Sequence, residues 1–244
     1  FPFLTIYTRK KYNSHMDIIQ QLRKETNKEL PLTDRIYEEL LRDIMTGKLA
    51  RDSWLTETKV CSMYGASRTP VREAFRRLEM DSLLEYIPKK GEYVRGFSYD
   101  ELIDMLNIRA DLEVRAVSWS IERITDDEME QFDDIFRYME FYTKKNDIHM
   151  MMYANSAFHR HIYKTSHDRM LDKTLTTYFN YCKYSCPPNY FAPKFLDKTL
   201  EERRRIYSAY LKKDVTSGAR AMKLHMSSTI KRAIANINLN IYEK

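Results

Sequence analysis

Residues 31–95 carry three helical patterns followed by a hairpin pattern, an order that few folds share. Thr33 is expected to cap the first helix, whose apolar residues recur at helical spacing until Gly47 ends the run. A second helix is predicted to begin at Thr56 and to end at Gly65, because glycine readily adopts the left-handed conformation after a last helical turn. Both helices therefore precede a turn.

A third helix and a basic hairpin are predicted next. Ser67 is expected to cap this helix, and its core-facing side is apolar, with Val71, Ala74, Phe75 and Leu78. Residues 83–87 and 93–95 alternate like strands. The tip between them carries Lys89 and Lys90. The whole order predicts a winged helix-turn-helix, a DNA-binding fold. We therefore expect the two lysines to contact the DNA backbone or the minor groove next to the base pairs that the third helix reads.

Polar side chains cover the other side of the third helix. Arg68 and Arg72 lie one turn apart, and the guanidinium fork suits the two acceptors of guanine in the major groove. Ser67 and Thr69 are expected to bind phosphate at the helix N-terminus. An isolated stripe of this kind also fits a solvated helix face, but its position in the helix-turn-helix order favours DNA binding.

The rest of the chain is predicted to be helical. Five glycines and seven prolines in 244 residues provide few of the tight turns that a sheet-based fold needs. Helix starts are marked by two capping boxes and two aspartates: Ser98 with Glu101, Thr125 with Glu128, Asp147 and Asp214. The expected fold class is mainly α, with an N-terminal winged helix-turn-helix at residues 31–95 and an all-helical antiparallel bundle at 97–240.

Charge and cysteine content restrict the class of protein. The formal net charge is +6, but residues 31–95 hold 12 basic and 11 acidic residues, so the basic edge is a local feature. Three cysteines fit a reducing, cytoplasmic compartment, and no apolar run reaches the roughly 18 residues of a membrane span. Residues 1–30 are interpreted as a vector-derived tail up to His15, where Ser14-His15-Met16 resembles a cloning junction, followed by an N-terminal arm.

The string Ser-Arg-Thr-Pro-Val-Arg-Glu-Ala-Phe-Arg-Arg-Leu-Glu at residues 67–79 resembles the recognition-helix signature of GntR-family transcription regulators. This resemblance implies that Arg68, Thr69 and Arg72 contact DNA and that Lys90 and Gly91 form the wing tip. The chain departs from the pattern at Thr58, where some members carry a DNA-contacting arginine.

Three segments of the bundle resemble the FCD domain of the FadR-type subfamily: residues 109–113, 155–159 and 213–225. In metal-binding members, one aspartate and three histidines hold a divalent ion. The matching positions here are Asn155, His159, Arg203 and His225, of which only His159 and His225 are metal ligands by type. Because Arg203 is a permanent cation, we expect it to replace the metal charge and to hold an organic acid together with Arg109, Asn155 and the two histidines.

Two alternatives for this cluster stay open. Arg203 belongs to an arginine triplet that also fits an exposed surface, and His159 also fits a hydrogen-bonded core residue. A divalent metal at His159 and His225 is the other alternative.

The sequence therefore predicts a DNA-binding transcription regulator and not an enzyme. We expect a homodimeric repressor that binds a near-palindromic operator of double-stranded DNA and responds to a small carboxylate metabolite. The alternatives are a metal-dependent enzyme with a histidine site in the bundle and a DNA-binding adaptor without an effector.

Overall fold

The computed structural model describes residues 30–185 and 196–236. The predicted vector-derived tail and N-terminal arm lie outside the described residues, apart from residue 30. The N-terminal part has the elements α1 (Leu32–Met45), β1 (Trp54–Leu55), α2 (Glu57–Tyr64), α3 (Arg68–Met80), β2 (Leu84–Ile87) and β3 (Gly91–Val94). The bundle has α4 (Tyr99–Arg123), α5 (Asp126–Lys144), α6 (Ile148–Thr165), α7 (Arg169–Ser185), α8 (Leu196–Leu211) and α9 (Val215–Asn236). The predicted fold class is confirmed.

Two of the predicted caps differ in the structure. Pro31 precedes α1 and its carbonyl accepts from the amide of Arg35 at 3.0 Å, so Thr33 lies inside the first turn and does not cap the helix. Ser67 occupies the N-cap position of α3 with an extended backbone, but its hydroxyl makes no capping hydrogen bond. The hydroxyl of Thr56 does accept from the amide of Lys59, at 3.3 Å, as a cap should.

The wing is a three-stranded antiparallel sheet with the order β1-β3-β2. The strand β1 was not predicted from the sequence, because two residues are too few to show alternation. Its Trp54 pairs with Tyr93 on β3. Gly91 begins β3 with a φ of +100°, and a Cβ there would lie 2.7 Å from the carbonyl oxygen of Leu55. Only glycine therefore fits at this position of the wing.

The bundle helices begin where the sequence predicts. Ser98 with Glu101 and Thr125 with Glu128 form complete capping boxes. The carboxylates of Asp147 and Asp214 accept from amides three residues on, at 3.0 and 2.9 Å. None of the described helices is long and apolar enough to cross a membrane.

One hydrophobic core runs from the winged helix into the bundle. Leu102 and Met105 of α4, Tyr181 and Cys182 of α7, and Ala233 of α9 pack with the apolar side chains of α1 to β3. A second core inside the bundle centres on large buried side chains, among them Phe132, Met139, Phe158 and Tyr163. The two parts of the chain therefore share buried surface.

Candidate DNA interface and buried polar cluster

The helix α3 divides its side chains as the sequence predicts. Val71, Ala74, Phe75 and Leu78 are buried. Six of the predicted DNA-contacting residues are exposed: Ser67, Arg68, Thr69, Arg72, Lys89 and Lys90. The seventh, Gly91, is half-buried. The structure thus places the basic side chains on an open edge beside the wing.

Two arginines of α3 have different surroundings. The Nε of Arg72 donates to Oε1 of Glu57 at 2.6 Å, a contact that the sequence analysis did not identify. This bond lowers the pKa of the Glu57 carboxyl, so that group stays charged. Arg77 instead binds Asp34 of α1 at 2.5 Å and covers the ring of Tyr37 at 4.0 Å. Arg77 therefore holds α3 on α1 and is not part of the open edge.

The wing contains a buried carboxylate. Glu92 on β3 is 8 % exposed, and its Oε2 has no hydrogen-bond partner among the described residues. Burial, together with the nearby carboxylates of Glu79 and Glu57, raises the pKa of Glu92 to about 7. At the wing tip the ammonium of Lys90 lies 5.5 Å from the ring of Trp54.

The five predicted effector residues are all buried in the bundle, where they form part of one polar cluster: Arg109 of α4, Asn155 and His159 of α6, Arg203 of α8, and His225 of α9. The rings of His159 and His225 are 5.5 Å apart. Four helices therefore converge on one polar region.

Glu113 lies at the centre of the first half of this cluster and is fully buried. It accepts from Nη2 of Arg109 at 2.8 Å, from Nδ1 of His159 at 3.1 Å, and from the hydroxyl of Tyr163. Burial alone would raise the pKa of this carboxyl, but His159 and Arg109 hold it well below its usual range. Burial also lowers the pKa of His159. Glu113 is therefore the anion that neutralises Arg109.

Arg203 lies in the second half of the polar cluster, with Asn155 and His225. It is 3 % exposed, donates to the side-chain oxygen of Asn155, and donates from Nη1 to the carbonyl of Thr199 at 2.9 Å. The alternative of an exposed Arg203 is therefore wrong, although its neighbours Arg204 and Arg205 are exposed.

His225 completes this half from α9. Its Nδ1 lies 2.9 Å from Oε2 of Glu202, which also accepts from Arg232 at 3.0 and 3.1 Å. Burial and the charge of Arg203 lower the pKa of His225 to about 3. The imidazole is therefore neutral near pH 7.

These side chains do not fit a divalent cation. The amide oxygen of Asn155 accepts from Arg203, and a guanidinium beside the two imidazoles repels a metal ion. No group of three His, Cys, Asp or Glu side chains within residues 30–185 and 196–236 is arranged to hold a metal. The metal alternative at His159 and His225 therefore lacks a suitable donor set.

Four members of the cluster were not predicted from the sequence: Glu113, Tyr163, Glu202 and Arg232. Helical spacing offered a signal for two of them, because Glu113 follows Arg109 by one turn and Tyr163 follows His159 by one turn. No local pattern relates Glu202 to Arg232, since 30 residues separate them.

Family models match two stretches of the chain. The model for bacterial regulatory proteins of the gntR family matches residues 32–94, and the FCD domain matches residues 104–228. The HTH-type transcriptional regulator YdhC of Bacillus subtilis (strain 168) is 26% identical over 206 residues, which cover 82% of this chain and 90% of YdhC. The HTH-type transcriptional repressor RspR of Escherichia coli (strain K12) is 24% identical over 205 residues, covering 83% and 89%.

Solved structures share the fold. E. coli McbR/YncC has a TM-score of 0.67 at 22% identity, and the match covers 84% of this chain and 98% of that one. Lar of Listeria monocytogenes has a TM-score of 0.63 at 17% identity with the same coverage. The chain therefore belongs to the gntR family of bacterial regulatory proteins, in the group with an FCD domain, and it is a DNA-binding transcriptional regulator and not an enzyme.

Proposed function

We propose that the protein binds a near-palindromic operator as a homodimer and represses transcription until a small organic acid enters the bundle. A single recognition helix reads only a few base pairs, so two half-sites are needed for specificity. The DNA contact is supported by one observation above all: Arg68, Thr69 and Arg72 are exposed on one edge of α3 while its other side is buried. Two relatives named as transcriptional repressors, RspR and GlaR of E. coli, support the proposal that DNA binding represses transcription.

The operator is found by selecting bound duplexes from a random pool with the full chain. Fluorescence anisotropy then measures the affinity of each variant for the selected duplex. Arg72→Ala is expected to cost about 1–3 kcal/mol of binding and to relax the base preference. Lys89→Ala is expected to weaken all sequences evenly and to reduce the salt slope by about one. If Arg72→Ala binds the selected duplex as tightly as the parent protein, the groove assignment is wrong.

The acid-binding site is proposed at Arg203. The guanidinium of Arg203 donates to a neutral amide, that of Asn155. A carboxylate that took the place of the amide oxygen would make a charge-assisted and bidentate contact, which is roughly twice as strong as a neutral one. Arg109 already faces Glu113, whereas the contact of Arg203 that the carboxylate would replace is one to an uncharged amide. The buried position of the cluster requires the ligand to displace some of these contacts.

The helix α7 offers a route from this site to the DNA-binding part. Its Phe179 ring lies 5.0 Å from the guanidinium of Arg109 and 5.6 Å from the ring of His159. Less than two turns later, the hydroxyl of Tyr184 donates to Glu38 of α1 at 2.5 Å. A ligand that displaces Arg109 or His159 would therefore move a helix that also contacts α1. Coupling requires that the acid bind the two arrangements with different affinity.

Thermal unfolding of the full chain with a panel of mono- and dicarboxylic acids, such as lactate and succinate, tests this site. At least one acid is expected to raise the unfolding temperature and to release the selected duplex. Arg203→Gln is expected to lose the shift, whereas Arg205→Gln, an exposed neighbour, keeps it. A panel without any shift, or a full shift in Arg203→Gln, would contradict the proposal and favour the adaptor.

A further inference from the structure

The exposed Arg72 is held by a residue of another helix. Glu57 is the first residue of α2, and its carboxylate accepts from Nε of Arg72 across the turn of the helix-turn-helix. The Arg72 side chain is 58 % exposed and that of Glu57 is 33 % exposed. Arg68, one turn earlier on the same edge, makes no ion pair within the described residues. The hydrogen bond is therefore made by Arg72, although the charge of Arg68 also lowers the pKa of the Glu57 carboxyl.

The bond uses the one guanidinium nitrogen that a two-point contact with guanine does not need. A bidentate contact to O6 and N7 can be made with Nη1 and Nη2, and no described residue accepts from either nitrogen of Arg72. A long side chain that is free to rotate loses much rotamer entropy when it is ordered. Fixing Nε from the side orders the guanidinium plane before DNA arrives.

Stability does not explain this pair. Ion pairs between partly exposed side chains contribute little to folding, because water screens both charges. A carboxylate at the DNA-facing edge also repels phosphate, so Glu57 weakens general attraction to DNA. What the pair provides is orientation of one arginine.

We propose that Glu57 is a positioning residue that sets the base preference of Arg72 and does so at the expense of non-specific affinity. This inference rests on the base contact of Arg72 in the proposed function. It predicts that loss of Glu57 changes two quantities in opposite directions: discrimination between sequences falls, whereas affinity for random DNA rises. A purely structural role would weaken both.

The test uses the full chain, the duplex selected from the random pool, its single-base variants, and a random-sequence duplex of the same length. Glu57→Ala is expected to lower the discrimination at the Arg72 position by about tenfold and to tighten binding to the random duplex. Glu57→Gln is expected to retain part of the discrimination, because its amide oxygen still accepts from Nε. Glu57→Asp keeps the charge at the helix start but is one methylene shorter, so it is expected to lose discrimination in a folded protein.

Two controls separate the possible outcomes. Glu73→Ala removes an exposed carboxylate of α3 that lies 4.0 Å from Arg76, and it is expected to leave the base preference intact. Adding Glu57→Ala to Arg72→Ala is expected to cause no further loss of discrimination. If Arg72→Ala relaxes the base preference and both Glu57→Ala and Glu57→Asp keep it, the inference is overturned. If Arg72→Ala itself keeps the preference, the groove assignment also fails.

Discussion

Two glutamates of the winged helix stand in opposite electrostatic settings. Glu57 is partly exposed and paired with Arg72, so its charge is favoured. Glu92 is buried, and one of its carboxylate oxygens lacks a partner among the described residues. A buried oxygen without a hydrogen bond costs free energy, and the charged form costs more. The same residue type therefore serves orientation at one position and makes stability depend on pH at the other.

Glu92→Gln is expected to change how the free energy of unfolding depends on pH. The pKa of Glu92 is raised from an ordinary value near 4.5 to about 7 in the folded state, so the folded protein binds the extra proton. The parent protein therefore loses stability as the pH rises from about 4.5 to 7, and the loss is complete above that window. Relative to the difference at pH 4, the variant should gain about 1–3 kcal/mol at pH 8.

Urea denaturation at several pH values measures this effect. Glu85→Gln is the matched control, because Glu85 lies on the neighbouring strand and is paired with Arg95 at 2.7 Å. It should show no comparable gain on going to alkaline pH. Equal stability profiles for Glu92→Gln and the parent protein would contradict the assignment.

Gly91→Ala is expected to destabilise the wing. Its φ of +100° disfavours any side chain, and the added Cβ would meet the Leu55 carbonyl oxygen at 2.7 Å. The free energy of unfolding should fall by about 2–3 kcal/mol. Gly65→Ala is the control, because Gly65 also has a positive φ but no atom within 4 Å of the added Cβ, and it should cost about 1 kcal/mol. Equal losses in urea denaturation would rule out the contact with β1 as a cause.

At the scale of elements, the last two turns of α7 contact both parts of the chain. Phe179 and Cys182 contact the bundle, where the sulfur of Cys182 lies 3.9 Å from that of Met105. Tyr181 packs against Phe97 with ring centroids 5.5 Å apart, and Tyr184 binds Glu38. Because these residues lie within two turns of one helix, a shift of this segment would change both sets of contacts.

Tyr184→Phe is expected to weaken the contact between α7 and α1 without disturbing either core. Removing the hydroxyl leaves the Glu38 carboxylate without its donor, which should cost about 1–3 kcal/mol. Hydrogen exchange should show faster opening of α1 and of the end of α7. Tyr178→Phe, on the same helix, is the control and should leave both rates unchanged. Unaltered exchange in Tyr184→Phe would mean that the bond does not hold the helices together.

At the scale of the molecule, we expect the winged helix and the bundle to unfold as one unit, because one apolar core includes side chains from both. Leu102 of α4 is 1 % exposed within that shared core. Separate cores would allow the DNA-binding part to melt alone, whereas a shared core couples the two. The same coupling would carry a change in the bundle to the winged helix.

Calorimetry of the parent protein is expected to show one unfolding transition. Leu102→Ala should lower the free energy of unfolding by about 2–5 kcal/mol, through lost burial and the cavity that remains. It should lower the stability of both parts together, as monitored by hydrogen exchange in α3 and α6. Leu211→Ala, at a position 61 % exposed, is the control and should have little effect. Two resolved transitions in the parent protein would refute the single unit.

The helices, most of their caps and the basic edge of α3 could be predicted from the sequence alone. These features depend on residues a few positions apart, as the capping box of Ser98 and Glu101 and the spacing of Arg68 and Arg72 illustrate. The resemblance to the FCD domain also led to Asn155, His159, Arg203 and His225, which lie together in the buried polar cluster. The two-residue strand β1 and the start of α1 at Pro31 were not predicted, because too few residues form a recognisable pattern there.

The surroundings of those side chains depend on the packing of the helices and could not be predicted in this way. Arg203 is buried against Asn155 and not exposed with its neighbours, because α8 turns that position toward α6. The partnership of Glu57 with Arg72 and that of Glu202 with Arg232 join residues 15 and 30 positions apart on different helices. Such pairs depend on how helices pack against each other, and packing is set by the whole core and not by any local pattern.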